Sequence, residues 1–143
     1  MSSPILTVIG ATGAQGSSVV NSALATGHYK VRAVTRNTTS EKAAALKARG
    51  VEVVSADVND EASLVKAFDG STAIYAVTDF FEPFAKVGAE EAIKVEFQQG
   101  VNLANAALAT STLKHYIWST LPNGLRISGG KYLSAFPPSP PAT

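Results

Sequence analysis

The sequence predicts an α/β fold: a doubly wound parallel sheet of about five strands with helices on both faces. Three observations predict it. An apolar run, Ile5 to Ile9, opens the chain and reads as a buried parallel strand. Glycines spaced three apart follow at once, at Gly10, Gly13 and Gly16, and Ser17 to Ala25 has helical character. Short apolar strands then alternate with helical segments down most of the chain, the pattern of βαβ units rather than hairpins.

The first helix stops at Thr26-Gly27-His28, with Gly27 near the first position past its end. Tyr29 to Thr35 is rich in β-branched residues and forms strand two. Asn37 to Ser40 is a polar turn whose Ser40 caps a helix from Glu41 to Arg49, and Gly50 ends that helix. Val51 to Ala56 is strand three. Asp57-Val58-Asn59-Asp60 is the loop after it, and Asn59 or Asp60 caps helix three, Glu61 to Phe68. Asp69-Gly70 is a turn, and Ser71 to Val77 is strand four. Thr78-Asp79-Phe80-Phe81-Glu82-Pro83-Phe84 is expected to be an aromatic loop. A long helix runs from about Gly88 to Ala109, with Ile93, Phe97, Val101, Ala104 and Leu108 as its apolar stripe. Lys114 to Ser119 is strand five. From Ser134 the chain reads Ser-Ala-Phe-Pro-Pro-Ser-Pro-Pro-Ala-Thr, neither helix nor strand. Residues 1–132 are thus expected to form one domain and 133–143 a proline-rich tail, disordered rather than a ligand for a proline-reading domain.

The bulk properties narrow the function. A chain of 143 residues with 45% hydrophobic content builds one domain with a core. A net charge of +1 argues against direct binding of nucleic acid or of an anionic membrane face. Cysteine is absent, which excludes disulfides, thiolate catalysis and cysteine–zinc sites, and no other metal site is predicted. No apolar run is long enough to span a bilayer, and Met1-Ser2-Ser3-Pro4 does not read as a secretory signal. A cytoplasmic or nuclear protein is expected.

Strand, glycine turn and helix together make the opening of a Rossmann-like, dinucleotide-binding fold. Gly10 takes the tight turn, Gly13 lets a pyrophosphate approach the backbone, and Gly16 lets the helix lie close to the strand. Ala11, Thr12, Ala14 and Gln15 complete that loop. The free amides and the positive dipole end of the helix favour a phosphate. Glycine-rich turns also occur in purely structural loops; here the preceding strand and the continuing alternation favour the nucleotide.

At the end of strand two an acidic residue would fit NAD and a basic one the 2′-phosphate of NADP. Arg36, followed by Asn37, stands 20 residues after Gly16, and no acidic residue occurs before Glu41. A guanidinium grips a phosphate with two parallel hydrogen bonds, so Arg36 favours NADP by about tenfold or more, with NAD binding more weakly. The competing assignment is a solvated surface arginine. Lys42 is a weaker second candidate. Asp57 and Val58 are expected along the adenine, although Asp57 also suits a turn or cap. Val77 and Thr78 would lie beside the nicotinamide half. Ser119, with Thr120 and Leu121, would line the approach to the reacting carbon. His28 and His115 read as structural and Trp118 as a core anchor. No catalytic residue is assigned.

Several strings resemble the NmrA-like branch of the atypical short-chain dehydrogenases/reductases. They are Gly10-Ala11-Thr12-Gly13-Ala14-Gln15-Gly16-Ser17-Ser18-Val19, Val31 to Asn37, Ala56 to Asp60, Tyr75 to Glu82, Gln99-Gly100, His115 to Ser119 and Ser128 to Tyr132. The resemblance spans nearly all of Ile5 to Tyr132. It implies a Rossmann fold that binds NADP through Thr12, Gly13, Ala14, Gln15, Gly16 and Arg36. Many members of that family are redox sensors or co-regulators, and others are reductases.

The chain departs from the family pattern in three ways. None of Tyr29, Tyr75, Tyr116 or Tyr132 has a lysine four places on, so the Tyr-x-x-x-Lys acid pair of ordinary reductases is absent, as is normal for NmrA-like sensors. The family's lysine on the nicotinamide side has no counterpart, because Leu133 begins the proline-rich end. The later strands and the small substrate domain are also lacking. The expectation is a product truncated after the Gly-Gly-Lys-Tyr loop, with part of one sheet face uncovered and open to self-association. The resemblance favours an NADP(H)-binding regulator, with a GATA-type transcription factor as its implied partner. An NADPH-dependent reductase, or an inactive fragment of one, is the alternative.

Overall fold

The structure, a computed structural model, describes residues 3–122 and 124–131. The expected proline-rich tail and the domain boundary at 132/133 lie outside the described residues. The elements are β1 (Ile5–Ile9), α1 (Ala14–Thr26), β2 (Lys30–Thr35), α2 (Glu41–Ala48), β3 (Glu52–Ser55), α3 (Glu61–Phe68), β4 (Ala73–Val77), α4 (Phe81–Val87), α5 (Ala89–Leu108), β5 (His115–Ser119) and α6 (Gly124–Ile127). The five strands are all parallel, in the order β3-β2-β1-β4-β5. The chain winds outward from β1 to β3, then returns to the other side of β1 to place β4. The carboxyl ends of β1 and β4 therefore flank the switch point at which such sheets open a crevice.

Burial of both sheet faces explains the apolar strand runs. In β1, Val8 turns to one face and Ile9 to the other, as successive side chains of a strand must. Val8 packs with Val20, Ala23 and Leu46 beneath α1 and α2. Ile9 packs with Leu64, Phe68, Ile74 and Leu103 beneath α3 and α5. Polar groups also enter the core: the hydroxyls of Thr7 and Ser71, both fully buried, bond to each other at 2.6 Å. Each hydroxyl thereby avoids the cost of an unsatisfied buried group.

The caps fall where the sequence puts them. The Ser40 hydroxyl accepts from the Ala43 amide, and the Asp60 carboxylate, rather than Asn59, accepts from the Ser63 amide. Gly27 closes α1 in the left-handed region at φ 66°.

Three expectations fail. The aromatic segment after β4 is largely a helix, α4. The Asp79 carboxylate accepts from the Glu82 amide, and Pro83 falls in the first helical turn, where a missing N–H costs no hydrogen bond. Second, α5 does not bury its predicted stripe. Its buried face is Ala92, Gln99, Asn102, Leu103, Ala106 and Ala107. Phe97 is half exposed and Leu108 is 86% exposed. Small side chains let α5 pack close to α3, and the two buried amides bond to loops, so the face that packs is not the most apolar one. Third, Trp118 is no core anchor. It lies on the edge strand β5, 45% exposed, against α5 at Gly100, where a Cβ would meet its ring at 3.3 Å. Ile117 and Leu121 beside it are also exposed. Among the described residues no helix is long and apolar enough to cross a membrane.

Candidate functional site

The turn between β1 and α1 is built by close backbone approach. The Gly13 amide donates to the Gly10 carbonyl at 2.9 Å, and the Ser17 amide donates to the Gly13 carbonyl at 2.9 Å. Gly10 sits at φ 65°, a conformation that side chains disfavour. A Cβ on Gly16 would overlap the Gly10 carbonyl, so glycine alone lets α1 seat against β1 this tightly. Gly13 is the N-cap of α1 without a side-chain cap, and the first turn holds no acidic residue. The amides of Ala14, Gln15 and Gly16 precede the first i→i−4 bond and form a donor cluster at the positive end of the helix dipole. Such an end suits a phosphate. The Ala11 side chain is buried in the core below, so only its backbone belongs to the turn.

A cleft of about 570 Å³ opens at the carboxyl ends of β1, β2, β3 and β4. It brings together Gly10, Thr12, Arg36, Asn37, Asp57, Val58, Val77 and Thr78. A second groove, about 640 Å³, shares Val77 and Thr78 with the first. Gln15, Ser119, Thr120 and Leu121 face this groove instead, together with the unburied stripe of α5. The residues predicted for the adenosine and nicotinamide halves thus line two adjoining spaces that meet at the end of β4. Gly13, Ala14 and Gly16 line neither; they form the turn between them.

Arg36 is 63% exposed but is not a solitary solvated arginine. Its guanidinium donates to both carboxylate oxygens of Glu82, at 3.3 Å to Oε1 and 3.0 Å to Oε2. Lys86 donates to Oε1 at 2.8 Å. These bonds, first that from Arg36 and then that from Lys86, pull the Glu82 carboxyl down to about 2. Glu82 in turn raises the Arg36 guanidinium further. Lys42 is an exposed residue of α2 and lines neither space.

Asp57 behaves as the turn residue its type suggests, since its Oδ1 accepts from the backbone and side-chain amides of Asn59, both at 2.9 Å. Gln99, only 2% exposed, spans two of the loops. Its Oε1 accepts from the Asp79 amide at 2.8 Å, and its Nε2 donates to Asn59 Oδ1 at 3.2 Å. Asn102 donates to the Val58 carbonyl at 3.0 Å. These two α5 amides hold the loops after β3 and β4 at the cleft floor. Gln15 Oε1 accepts from the Tyr75 hydroxyl at 2.7 Å and from Ser119 Oγ at 2.6 Å. The Thr78 hydroxyl donates to Glu96 at 2.7 Å. His28 and His115 are exposed and line neither space. Among the described residues no group of three or more His, Asp or Glu is placed to hold a metal ion.

Sequence reasoning missed Glu82, Lys86 and Gln99 as site residues. The Glu82–Lys86 pair at i,i+4 carried a signal, but only if that segment is first read as a helix.

The chain matches the NmrA-like family over residues 2–136. It belongs to that family. The NmrA-like family domain-containing oxidoreductase himF of Aspergillus japonicus is 36% identical over 126 residues, 88% of this chain and 37% of that protein. Among solved structures, the NADPH-dependent quinone oxidoreductase QOR2 of Escherichia coli, complexed with NADPH, superposes with a TM-score of 0.63 at 31% identity. That match covers 81% of this chain and 36% of the other. The negative transcriptional regulator NmrA superposes at 0.68 with 26% identity, over 85% of this chain and 35% of its own. This NmrA-like chain therefore spans little more than a third of the length of the relatives it matches.

Proposed function

We propose that this NmrA-like chain binds a nicotinamide dinucleotide, NADP(H) in preference to NAD(H), and acts as a redox-sensing co-regulator. The observation that carries the reading is the glycine turn. It sets the open amino end of α1 at the β1/β4 switch point, and its Gly10 and Thr12 line the same cleft as Arg36. The residues fit the group. The amides of Ala14 to Gly16 take the diphosphate, and Arg36 with Asn37 takes the 2′-phosphate. Asp57 and Val58 border the adenine; Val77, Thr78 and Ser119 border the nicotinamide. When bound, the nicotinamide supplies a hydride donor or acceptor. Solved relatives support the ligand class: QOR2 is complexed with NADPH, and NmrA structures exist with NAD and with NADP.

Support for sensing over catalysis comes from the missing Tyr-x-x-x-Lys pair and from Gln15. The Tyr75 and Ser119 hydroxyls both donate to its Oε1 rather than into the groove. A reductase is the second reading, favoured by relatives named as oxidoreductases and by the apolar groove beside Ser119. By resemblance the partner is a GATA-type transcription factor in the cytoplasm or nucleus. Self-association through the exposed Ile117, Trp118 and Leu121 belongs to the same proposal.

Calorimetric titration of the purified chain with NADP, NADPH and NAD tests the reading. The expected result is binding of NADP(H) without its consumption when a quinone or enone is present. Oxidation of NADPH would establish the reductase instead, and no binding of any dinucleotide would overturn both.

A further inference from the structure

The Arg36–Glu82–Lys86 cluster bears on how the cleft chooses between NADP and NAD, given the reading that Arg36 meets the adenosine 2′-phosphate. We propose that Glu82 is a built-in competitor for that phosphate: its carboxylate holds the fork of Arg36 and must be expelled for NADP to bind.

A carboxylate fills a guanidinium fork in the same bidentate manner as a phosphate. The two Arg36 contacts at 3.0 and 3.3 Å have that form. Lys86 closes the other side of Glu82 at 2.8 Å, so one acidic side chain sits between two cations. All three residues line the 570 Å³ cleft, beside Thr12 and Asn37. The cluster is therefore an anion site with two cationic walls, already satisfied by the chain's own carboxylate.

A phosphate monoester carries a charge of about −1.5 to −2 near pH 7 and offers three acceptor oxygens. It can engage Arg36 and Lys86 together and outbid a single carboxylate. Part of that gain goes to breaking the Glu82 contacts. The displaced carboxylate then remains close to the phosphate and repels it. The 2′-hydroxyl of NAD meets a different situation. It carries no charge and makes no claim on the guanidinium, so the ion pair stays intact. Glu82 therefore works against NADP and not against NAD, and narrows a preference that Arg36 alone would make steep. Lys86 becomes a second ligand of the phosphate.

The test is titration of the full chain with NADP and NAD, as wild type and as the Glu82→Gln, Arg36→Ala and double variants. Glu82→Gln is expected to tighten NADP by about two- to fivefold, the scale of a partly exposed charge contact, and to leave NAD unchanged. Glu82→Ala should move NADP in the same direction, which guards against an effect peculiar to glutamine. The gain should vanish in the Arg36→Ala background. Glu90→Gln removes the same charge from the exposed first turn of α5 and should change nothing. Loss of NADP affinity in Arg36→Ala, with no gain in Glu82→Gln, would overturn the proposal and leave the Arg36 reading standing. A gain that persists without Arg36, or that Glu90→Gln reproduces, would also overturn it. Unchanged NADP affinity in Arg36→Ala would remove both.

Discussion

Alanine at Gly16 is expected to be far more damaging than alanine at Gly10 or Gly13, although all three belong to one motif. A Cβ at Gly16 would overlap the Gly10 carbonyl oxygen and stand 2.6 Å from the Gly10 carbonyl carbon and 2.9 Å from Ala11 Cα. All of these are backbone atoms of the turn, so none can rotate away. Helix α1 must lift from β1. Overpacking of this kind costs about 3 kcal/mol or more, which for a chain of this size lowers the melting temperature by roughly 10 °C. Gly10→Ala meets only the Val77 Cγ1 methyl at 3.0 Å, which can turn aside, but φ 65° costs about 1–2 kcal/mol. Gly13→Ala meets the Gly10 oxygen at 3.3 Å with an extended backbone, φ −84° and ψ 176°, and should cost less than about 1 kcal/mol. Circular-dichroism melts give the stability order, and NADP titration of each folded variant gives the binding order. The melts should rank Gly16 above Gly10 above Gly13 in damage, whereas Gly13→Ala should weaken NADP by more than its small stability cost, because its Cβ would stand where the pyrophosphate meets the backbone. A Gly16→Ala protein that melts within a few degrees of wild type and binds NADP normally would refute the close seating of α1 on which the site depends.

Gln99→Leu keeps volume but strands the Asp79 amide and frees Asn59, and should cost about 1–3 kcal/mol while weakening NADP and NAD equally; unequal losses would mean that Gln99 does not act through the shared loops. Phe68→Ala opens the core between α3 and the sheet and should cost about 3–5 kcal/mol, read from chemical denaturation. The pH dependence should distinguish the dinucleotides. The Glu82 carboxyl lies at about 2, below its ordinary 4.5, so the stabilisation from its ionised form is full above about 4.5 and is lost progressively as pH falls toward 2, and Glu82 stays charged from pH 5 to 8. A 2′-phosphate loses charge below about pH 6, so NADP affinity should fall there while NAD affinity stays flat; parallel falls would place the titrating group on the protein. Trp118, the single tryptophan, borders the 640 Å³ groove proposed for the nicotinamide, and its emission should drop on NADPH binding; unchanged emission with binding proven by calorimetry would put the nicotinamide elsewhere.

Local pattern carried the elements and the motif. The run Ile5 to Ile9 declared a strand buried on both faces, the glycine spacing declared a helix seated against it, and Ser40 and Asp60 declared helix starts, because each signal depends only on neighbours along the chain. The position of Arg36 just past the end of β2 was legible for the same reason, since it depends only on where that strand stops. The aromatic segment was not, because the Phe residues masked a helix start made by Asp79 and tolerated by Pro83.

What tertiary structure decided were the pairings between distant residues. Arg36 meets Glu82 across 46 positions, and Gln15 gathers Tyr75 across 60 and Ser119 across 104. The buried face of α5 likewise followed from the approach of α3 and from the loops that Gln99 and Asn102 satisfy, not from the helix's own apolar stripe. Periodicity reports what a segment prefers to bury; the order in which strands enter the sheet settles which partners arrive to bury it. That order placed the ends of β2 and β4 on one cleft, and so set the Glu82 carboxylate in the fork of Arg36, a pairing that no local pattern announces.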